Sequence, residues 1–281
     1  MNETAQAMVL EDYLKRLKLP AMFRDWEECA RQARQSQESY PAFLLDLATR
    51  ELEQRQANQL KRRLKEARFP VMKTLEATDL EKWPGIDGLE VKELTRCDWI
   101  AHQENVVLIG KHGTGKTHAA TVIGVEACRS GYRTLFTTAA QLANRLLEAR
   151  QEKELERLLK RLDRFQLLIV DELGYIPFSQ EGSQLLFQVF ANRYERSSTV
   201  VTSNLAFAEW TRVFADASLT AALLDRLTHH CHIYSFDWES IRLTDSLKRR
   251  NKKPQKAAVA ATAPPKGAQK ESDQVGAPNP T

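Results

Sequence analysis

A glycine-rich loop between an apolar run and a helical pattern constrains the fold most. Residues 105–118 read "NVVLIGKHGTGKTH", and an amphipathic stretch continues from there. Gly110, Gly115, Lys116 and Thr117 fit the spacing G-x-x-x-x-G-K-[ST], which binds phosphates where it joins a strand to a helix. The sequence therefore predicts an α/β domain with a phosphate-binding loop.

The residue types of this loop suit a nucleotide and its magnesium ion. Glycines let the backbone N–H groups point inward, and the helix that follows adds a positive dipole. Lys116 is expected to reach the β- and γ-phosphates of ATP, and the Thr117 hydroxyl to bind Mg²⁺. The candidate cofactor-binding residues are Gly110, Lys111, His112, Gly113, Thr114, Gly115, Lys116, Thr117 and His118.

Two carboxylates follow a second apolar run, "LLIV". A buried strand cannot hold ionised carboxylates in its middle, so Asp171 and Glu172 are expected at its end, beside the loop. Asp171 is the second candidate magnesium ligand. Glu172 is the candidate base that orients and deprotonates the attacking water, a role that suits hydrolysis.

Two further polar residues are candidate catalytic groups. Asn204 ends the next apolar run, "STVVTSN", where its amide could sense the γ-phosphate. Arg226 lies near the end of a helical stretch, and a guanidinium suits the charge that develops on that phosphate. The sequence leaves open whether Arg226 acts in its own subunit or in a neighbouring one.

The pattern along the chain predicts four segments. Residues 1–70 are expected to form an all-helical domain that binds DNA or a partner, and 71–103 a connection with breaker residues. In 104–250, five β-rich runs alternate with helical patterns such as 139–162, which predicts a five-stranded parallel sheet covered on both faces. Residues 251–281, rich in Pro and Ala, are expected to be a disordered tail.

Composition excludes several other classes of protein. The net charge of +4 makes the chain mildly basic. The four cysteines are far apart, which argues against a disulfide framework or a zinc cluster. No signal peptide or membrane span is evident, so we expect a cytoplasmic protein without a membrane partner. His229, His230 and His232 are interpreted as packing or surface residues rather than metal ligands.

Four stretches together resemble one family of AAA+ ATPases. They are "GKHGTGKTHAA", "LLIVDELGYIPF", "VVTSNLAFAEW" and "LLDRLTHHCHIYSFDWESIRL", and "LKRLKLPAMFRDWEECARQ" resembles the start of the same family. The chain resembles the IstB-type transposition helpers, relatives of the DnaC-type helicase loaders, over about residues 8–248.

The resemblance implies an ATPase that forms homo-oligomers on duplex DNA and assists a partner transposase of the IstA type in target-site selection. It also implies that Arg226 is the arginine finger and that Arg242, in "DWESIR", is the second sensor. His112 departs from the family, in which proline is common at that position, but the lysine and the hydroxyl residue of the loop are kept.

Two basic clusters are candidates for sequence-independent contacts with duplex DNA, because neutralising phosphates releases counterions whatever the sequence. The first, within 61–68, comprises Lys61, Arg62, Arg63, Lys65 and Arg68; the second includes Lys248, Arg249 and Arg250.

Three other interpretations remain open at this point. A helicase loader would share the ATPase chemistry but act with single-stranded DNA. A small-molecule kinase is disfavoured by the pair Asp171–Glu172, and a DNA-binding module without hydrolysis by the intact motifs.

Overall fold

The computed structural model describes residues 3–241 of the chain, so Arg242, Lys248, Arg249, Arg250 and the predicted tail lie outside the described residues. Within it, five parallel strands form one sheet in the order β2-β3-β4-β1-β5, which confirms the predicted five-stranded parallel sheet. The strands are β1 (Asn105–Gly110), β2 (Thr134–Thr138), β3 (Leu167–Leu173), β4 (Ser198–Ser203) and β5 (Cys231–Phe236).

Helices precede the sheet and connect its strands. Those before β1 are α1 (Glu3–Arg16), α2 (Pro20–Gln35), α3 (Tyr40–Ala67), α4 (Gly88–Arg96) and α5 (Asp98–Ala101). Those after β1 are α6 (Lys116–Arg129), α7 (Ala139–Gln151), α8 (Leu155–Leu162), α9 (Gln180–Arg193), α10 (Thr211–Phe214) and α11 (Ala217–Thr228). The helical pattern predicted over 139–162 is two helices, because Lys153 adopts a left-handed φ of 61° between them.

The sheet has a hydrophobic layer on each face, because consecutive residues of a strand point to opposite sides. Val107 packs in a layer with residues of α7, α9 and α11. Its neighbours Val106 and Leu108 pack in the other layer, with residues of α4, α5 and α6. The predicted arrangement of helices on both faces is therefore present.

The long helix α3 contacts the sheet directly. Ser39 caps its start by accepting a hydrogen bond from Ala42 N at 3.4 Å. Near its other end, Glu66 is paired with Arg133, which lies just before β2, and Arg133 Nε donates to Glu66 Oε2 at 3.2 Å. The candidate DNA-binding residues of α3 thus lie beside an edge strand of the sheet.

None of the helices between residues 3 and 241 is both long enough and apolar enough to cross a membrane.

Candidate active site

Close packing at the end of β1 explains the first glycine of the loop. Gly110 has a φ of 151°, and a Cβ there would lie 2.2 Å from the carbonyl oxygen of Phe236 on β5. Gly115, with a φ of 103°, is the residue from which α6 begins. Side chains at these positions would clash or be strained, so the loop's path depends on glycine.

Lys116 extends back into the curve of the loop. Its Nζ donates to Gly110 O at 2.7 Å and to Lys111 O at 2.6 Å. The Thr114 hydroxyl donates to the same Lys111 carbonyl at 2.9 Å. The side chain of Lys116 is 9% exposed, which places its charge inside the loop, where a phosphate would be bound.

The first carboxylate of the pair is buried beside the loop. Asp171 Oδ1 accepts hydrogen bonds from Thr117 Oγ1 at 3.1 Å and from Thr202 Oγ1 at 2.5 Å. Burial raises the pKa of the Asp171 carboxyl, and the bonds from Thr202 and Thr117 partly oppose that rise. The two predicted magnesium ligands, Thr117 and Asp171, are therefore in direct contact.

A bulge in β3 places the two carboxylates in different environments. The pairing of β3 with β4 is regular up to Val170 and resumes at Leu173. Between them, Glu172 has a left-handed φ of 60° and its N–H donates to Thr202 Oγ1 at 2.9 Å. Bulges of this kind redirect a side chain next to a site. Asp171 is accordingly buried while Glu172 is exposed to solvent.

Thr202 was missed in the sequence, although it holds both members of this pair. Its hydroxyl donates to Asp171 and accepts from the backbone of Glu172. The only signal was its position in "VVTSN", two residues before the predicted Asn204.

Asn204 contacts the phosphate-binding loop. Its Nδ2 lies 3.0 Å from Nε2 of His112, and the His112 ring packs edge-on against Tyr175 at a centroid distance of 6.1 Å. The predicted sensor and the family-atypical histidine thus form one small cluster. His118 lies on the first turn of α6, with Nε2 3.0 Å from Thr78 Oγ1.

Arg226 lies at the other end of the sheet from the loop. The carbonyl of the next residue, Leu227, accepts from Asn105 Nδ2 at 3.0 Å, and Asn105 is the first residue of β1. Arg226 Nη1 donates to Ala222 O at 2.8 Å, and its guanidinium lies over Phe187. The structure therefore does not bring Arg226 to the phosphate-binding loop of its own chain.

Part of the first basic cluster lines a groove of about 490 Å³ beside β2. Arg62, Lys65 and Arg68 line it together with Glu66, whereas Lys61 and Arg63 are not among its lining residues. Arg145 of α7 and Arg161 of α8 line it as well. Its lining includes apolar residues of β2, α7 and α8. Arg145 and Arg161 were missed in the sequence. Arg145 stands apart from other basic residues, and Arg161, next to Lys160, lies in a helical pattern that was interpreted by its leucines.

The strand order and the loop at the end of β1 define a phosphate-loop ATPase of the AAA+ class. Residues 12–249 match the model of a family described as IstB-like ATP binding protein. The chain belongs to this family and is an ATPase, so the resemblance seen in the sequence is confirmed.

Relatives and a solved structure agree with this assignment. The chain is 38% identical over 243 residues to an insertion sequence IS5376 putative ATP-binding protein of Geobacillus stearothermophilus, covering 86% of this chain and 97% of that one. It is 40% identical to an insertion sequence IS21 putative ATP-binding protein of Pseudomonas aeruginosa, with coverages of 85% and 90%. The fold is similar to AMPPCP-bound DnaA from Aquifex aeolicus, with a TM-score of 0.52, 19% identity, and 67% of this chain and 58% of that longer chain covered.

Proposed function

We propose that this ATPase assembles into oligomers on duplex DNA, hydrolyses ATP between neighbouring copies, and assists a transposase in selecting a target site. The distance of Arg226 from the loop of its own chain carries the proposal of shared sites. The role in transposition is supported by the names of the relatives, which are putative ATP-binding proteins of insertion sequences.

The residues beside the loop fit a magnesium ion. Mg²⁺ prefers oxygen ligands, and the Thr117 hydroxyl and the Asp171 carboxylate are oxygen donors already in contact. A buried carboxylate with a raised pKa is stabilised in its ionised form by a nearby cation. When bound, the ion would offset the charge of the phosphate oxygens, with Thr117 and Asp171 holding it.

The remaining groups of the site divide binding from hydrolysis. Lys116 and the backbone N–H groups of the loop bind the phosphates of ATP. Glu172 accepts a proton from water as that water attacks the γ-phosphorus. The bond between the γ-phosphorus and the bridging oxygen breaks, and that oxygen leaves with ADP. Asn204 contacts His112 of the loop, and from there its amide orients the water or the γ-phosphate.

The length of β1 supports an arginine supplied by a neighbouring subunit. Its six residues, Asn105–Gly110, separate the Arg226 end of the sheet from the loop. At about 3.3 Å per residue they span roughly 17 Å, which is longer than an arginine side chain. A second copy placing its Arg226 at this loop would complete the site, which makes hydrolysis depend on assembly.

The groove beside β2 supports contact with a nucleic acid. Arginine and lysine residues from α3, α7 and α8 line it, so segments distant in sequence contribute charge to one surface. Such a surface binds the phosphate backbone without reading bases, which suits a factor that captures varied target sites.

Mixing two inactive variants tests the shared site. Arg226→Ala lacks the finger and Lys116→Ala lacks the phosphate-binding lysine, so each alone should hydrolyse ATP poorly. In a mixture, sites form between an intact loop and an intact Arg226, and activity should return. Arg212→Ala, an exposed arginine paired with Glu209, is the matched control and should keep normal activity. No recovery in a mixture that still assembles would refute hydrolysis between copies.

DNA choice is tested with the Glu172→Gln variant, which should bind ATP and hydrolyse it slowly. Fluorescence anisotropy with labelled DNA should show ATP-dependent binding to duplex, weakened by Arg145→Ala and Arg161→Ala and unchanged by Arg212→Ala. Preference for single strands would instead favour the helicase-loader alternative. Equal binding by all variants would show that the groove does not contact DNA.

A further inference from the structure

Two helix ends meet on the surface next to the start of the sheet. Tyr194 and Glu195 directly follow α9, and His229 and His230 directly follow α11. Glu195 and the histidines are more than 30 residues apart in sequence, so only the packing of α9 against α11 brings them together.

Three side chains at this junction offer ligand atoms for one ion. One ligand atom from each of Glu195, His229 and His230 lies within 4.8 Å of the others. His229 Nδ1 is 3.9 Å from Glu195 Oε1, and the two imidazole rings lie 4.1 Å apart between centroids. Across residues 3–241, no other group of three such side chains converges this closely.

The backbone that carries Glu195 is held in place by the buried side chain of Arg193. The buried guanidinium of Arg193 donates to the Ser198 carbonyl at 2.6 Å, to the Phe165 carbonyl at 3.1 Å and to the Thr199 hydroxyl at 3.2 Å. These bonds hold the turn between α9 and β4 in place.

The backbone that carries the histidines is fixed as well. His229 N donates to Asp225 O at 3.1 Å, and His230 O accepts from Asn105 N at 2.7 Å, which ties the turn to the start of β1. The backbone at both turns is already fixed, so mainly the ligand side chains lose conformational freedom when they bind an ion.

We propose that Glu195, His229 and His230 form a binding site for a divalent transition-metal ion of the Zn²⁺ class. This replaces the interpretation of His229 and His230 from the sequence, which did not include their contact with Glu195. Two imidazoles and one carboxylate suit Zn²⁺ and its neighbours, whereas Mg²⁺ prefers oxygen ligands alone. The ligand residues are exposed, so water or a group from a bound partner completes the coordination.

Tyr194 contacts one of the proposed ligands. Its hydroxyl lies 2.9 Å from His229 Nδ1, the same nitrogen that faces Glu195 Oε1. The phenol can donate a hydrogen bond to that nitrogen when the ion is absent, so an ion bound at Nδ1 takes the place of this hydrogen bond.

The ion would fasten the end of α9 to the end of α11. Arg226 lies in the last turn of α11, three residues before His229, and its guanidinium packs over Phe187 of α9. The site is independent of the proposed ATPase mechanism, although it directly follows the helix that carries Arg226.

Isothermal titration of the full chain with ZnCl₂, purified without a polyhistidine tag and free of nucleotide, tests the site. We expect one ion per chain, with His229→Ala, His230→Ala and Glu195→Gln each weakening binding by about tenfold or more. The control is His232→Ala, which removes another surface histidine that also faces a carboxylate, Glu104 at 2.7 Å. It should bind Zn²⁺ as the parent chain does.

Thermal unfolding provides a second readout and checks that the variants fold. Zn²⁺ should raise the Tm of the parent chain and of His232→Ala, but not that of the three ligand variants, whose Tm without metal should stay near the parent value. No binding by the parent chain, or binding that survives the ligand substitutions, would overturn the proposal.

Discussion

Thr202→Val is the sharpest test of how the two carboxylates are held. Valine has nearly the shape of threonine but lacks the hydroxyl. The change removes the 2.5 Å hydrogen bond to Asp171 Oδ1 and the 2.9 Å bond from Glu172 N. Thr202 is 1% exposed, so water cannot easily replace either bond.

The expected cost follows from these two bonds. A hydrogen bond to a charged group is worth about 1.5–3 kcal/mol and a neutral one about 0.5–1.5 kcal/mol, so the free energy of unfolding should fall by roughly 2–4.5 kcal/mol. The catalytic rate should fall by about 100-fold, since Glu172 loses the contact that fixes its backbone. ATP affinity should change little, because Lys116 and the loop are untouched.

Three measurements separate this explanation from general damage: urea unfolding, binding of a fluorescent ATP analogue, and steady-state ATPase rates. Thr202→Ser keeps the hydroxyl and should stay close to the parent protein. Ser198→Ala removes a hydroxyl of the same strand that has no hydrogen-bond partner among the described residues, and it should have little effect. A Thr202→Val protein with parental stability and rate would refute the assigned role.

Three other substitutions have distinct expected results. Lys116→Ala should abolish ATP binding, measured by titration with the fluorescent analogue, and unchanged affinity would contradict the phosphate-loop assignment. Glu172→Gln should keep ATP affinity, lower the ATPase rate by about 100-fold or more, and prolong the lifetime of the oligomer on DNA in size-exclusion chromatography. Asp171→Asn should be more stable than the parent at neutral pH. Burial raises the pKa of the Asp171 carboxyl, so the free energy of unfolding of the parent falls as the pH rises through that raised pKa. Asparagine carries no charge, so the variant should not lose this stability. Urea unfolding from acidic to neutral pH checks this, and a gap that does not widen with pH would argue against it.

Local patterns were sufficient for the fold and for the position of the candidate loop. The strand, loop and helix around Lys116 are contiguous in sequence, so spacing alone predicts them. Asp171 and Glu172 were predicted at the end of an apolar run, and they lie among the last three residues of β3, although Asp171 is more deeply buried than that argument required. The parallel direction of the strands was predicted from their alternation with helices.

Contacts between distant segments could not be predicted in the same way. Thr202 acts on Asp171 only because β3 and β4 pair with a bulge at that point. Arg145 and Arg161 join the α3 cluster only because α7 and α8 lie beside the end of that helix. Each is an ordinary residue in its local sequence, and its significance arises from tertiary packing.

The separation of Arg226 from the loop of its own chain has a consequence for the proposed function. The loop follows the last residue of β1, while Arg226 is tied through Leu227 to the first residue, Asn105. In the proposed function, the groups that bind phosphate and stabilise charge lie at opposite ends of one sheet, so one chain would not bring both to a single nucleotide. Hydrolysis would then be limited by the encounter of copies, and a DNA that gathers them would raise their effective concentration. We therefore expect the ATPase rate to rise with assembly on DNA, as the proposed role beside a transposase requires.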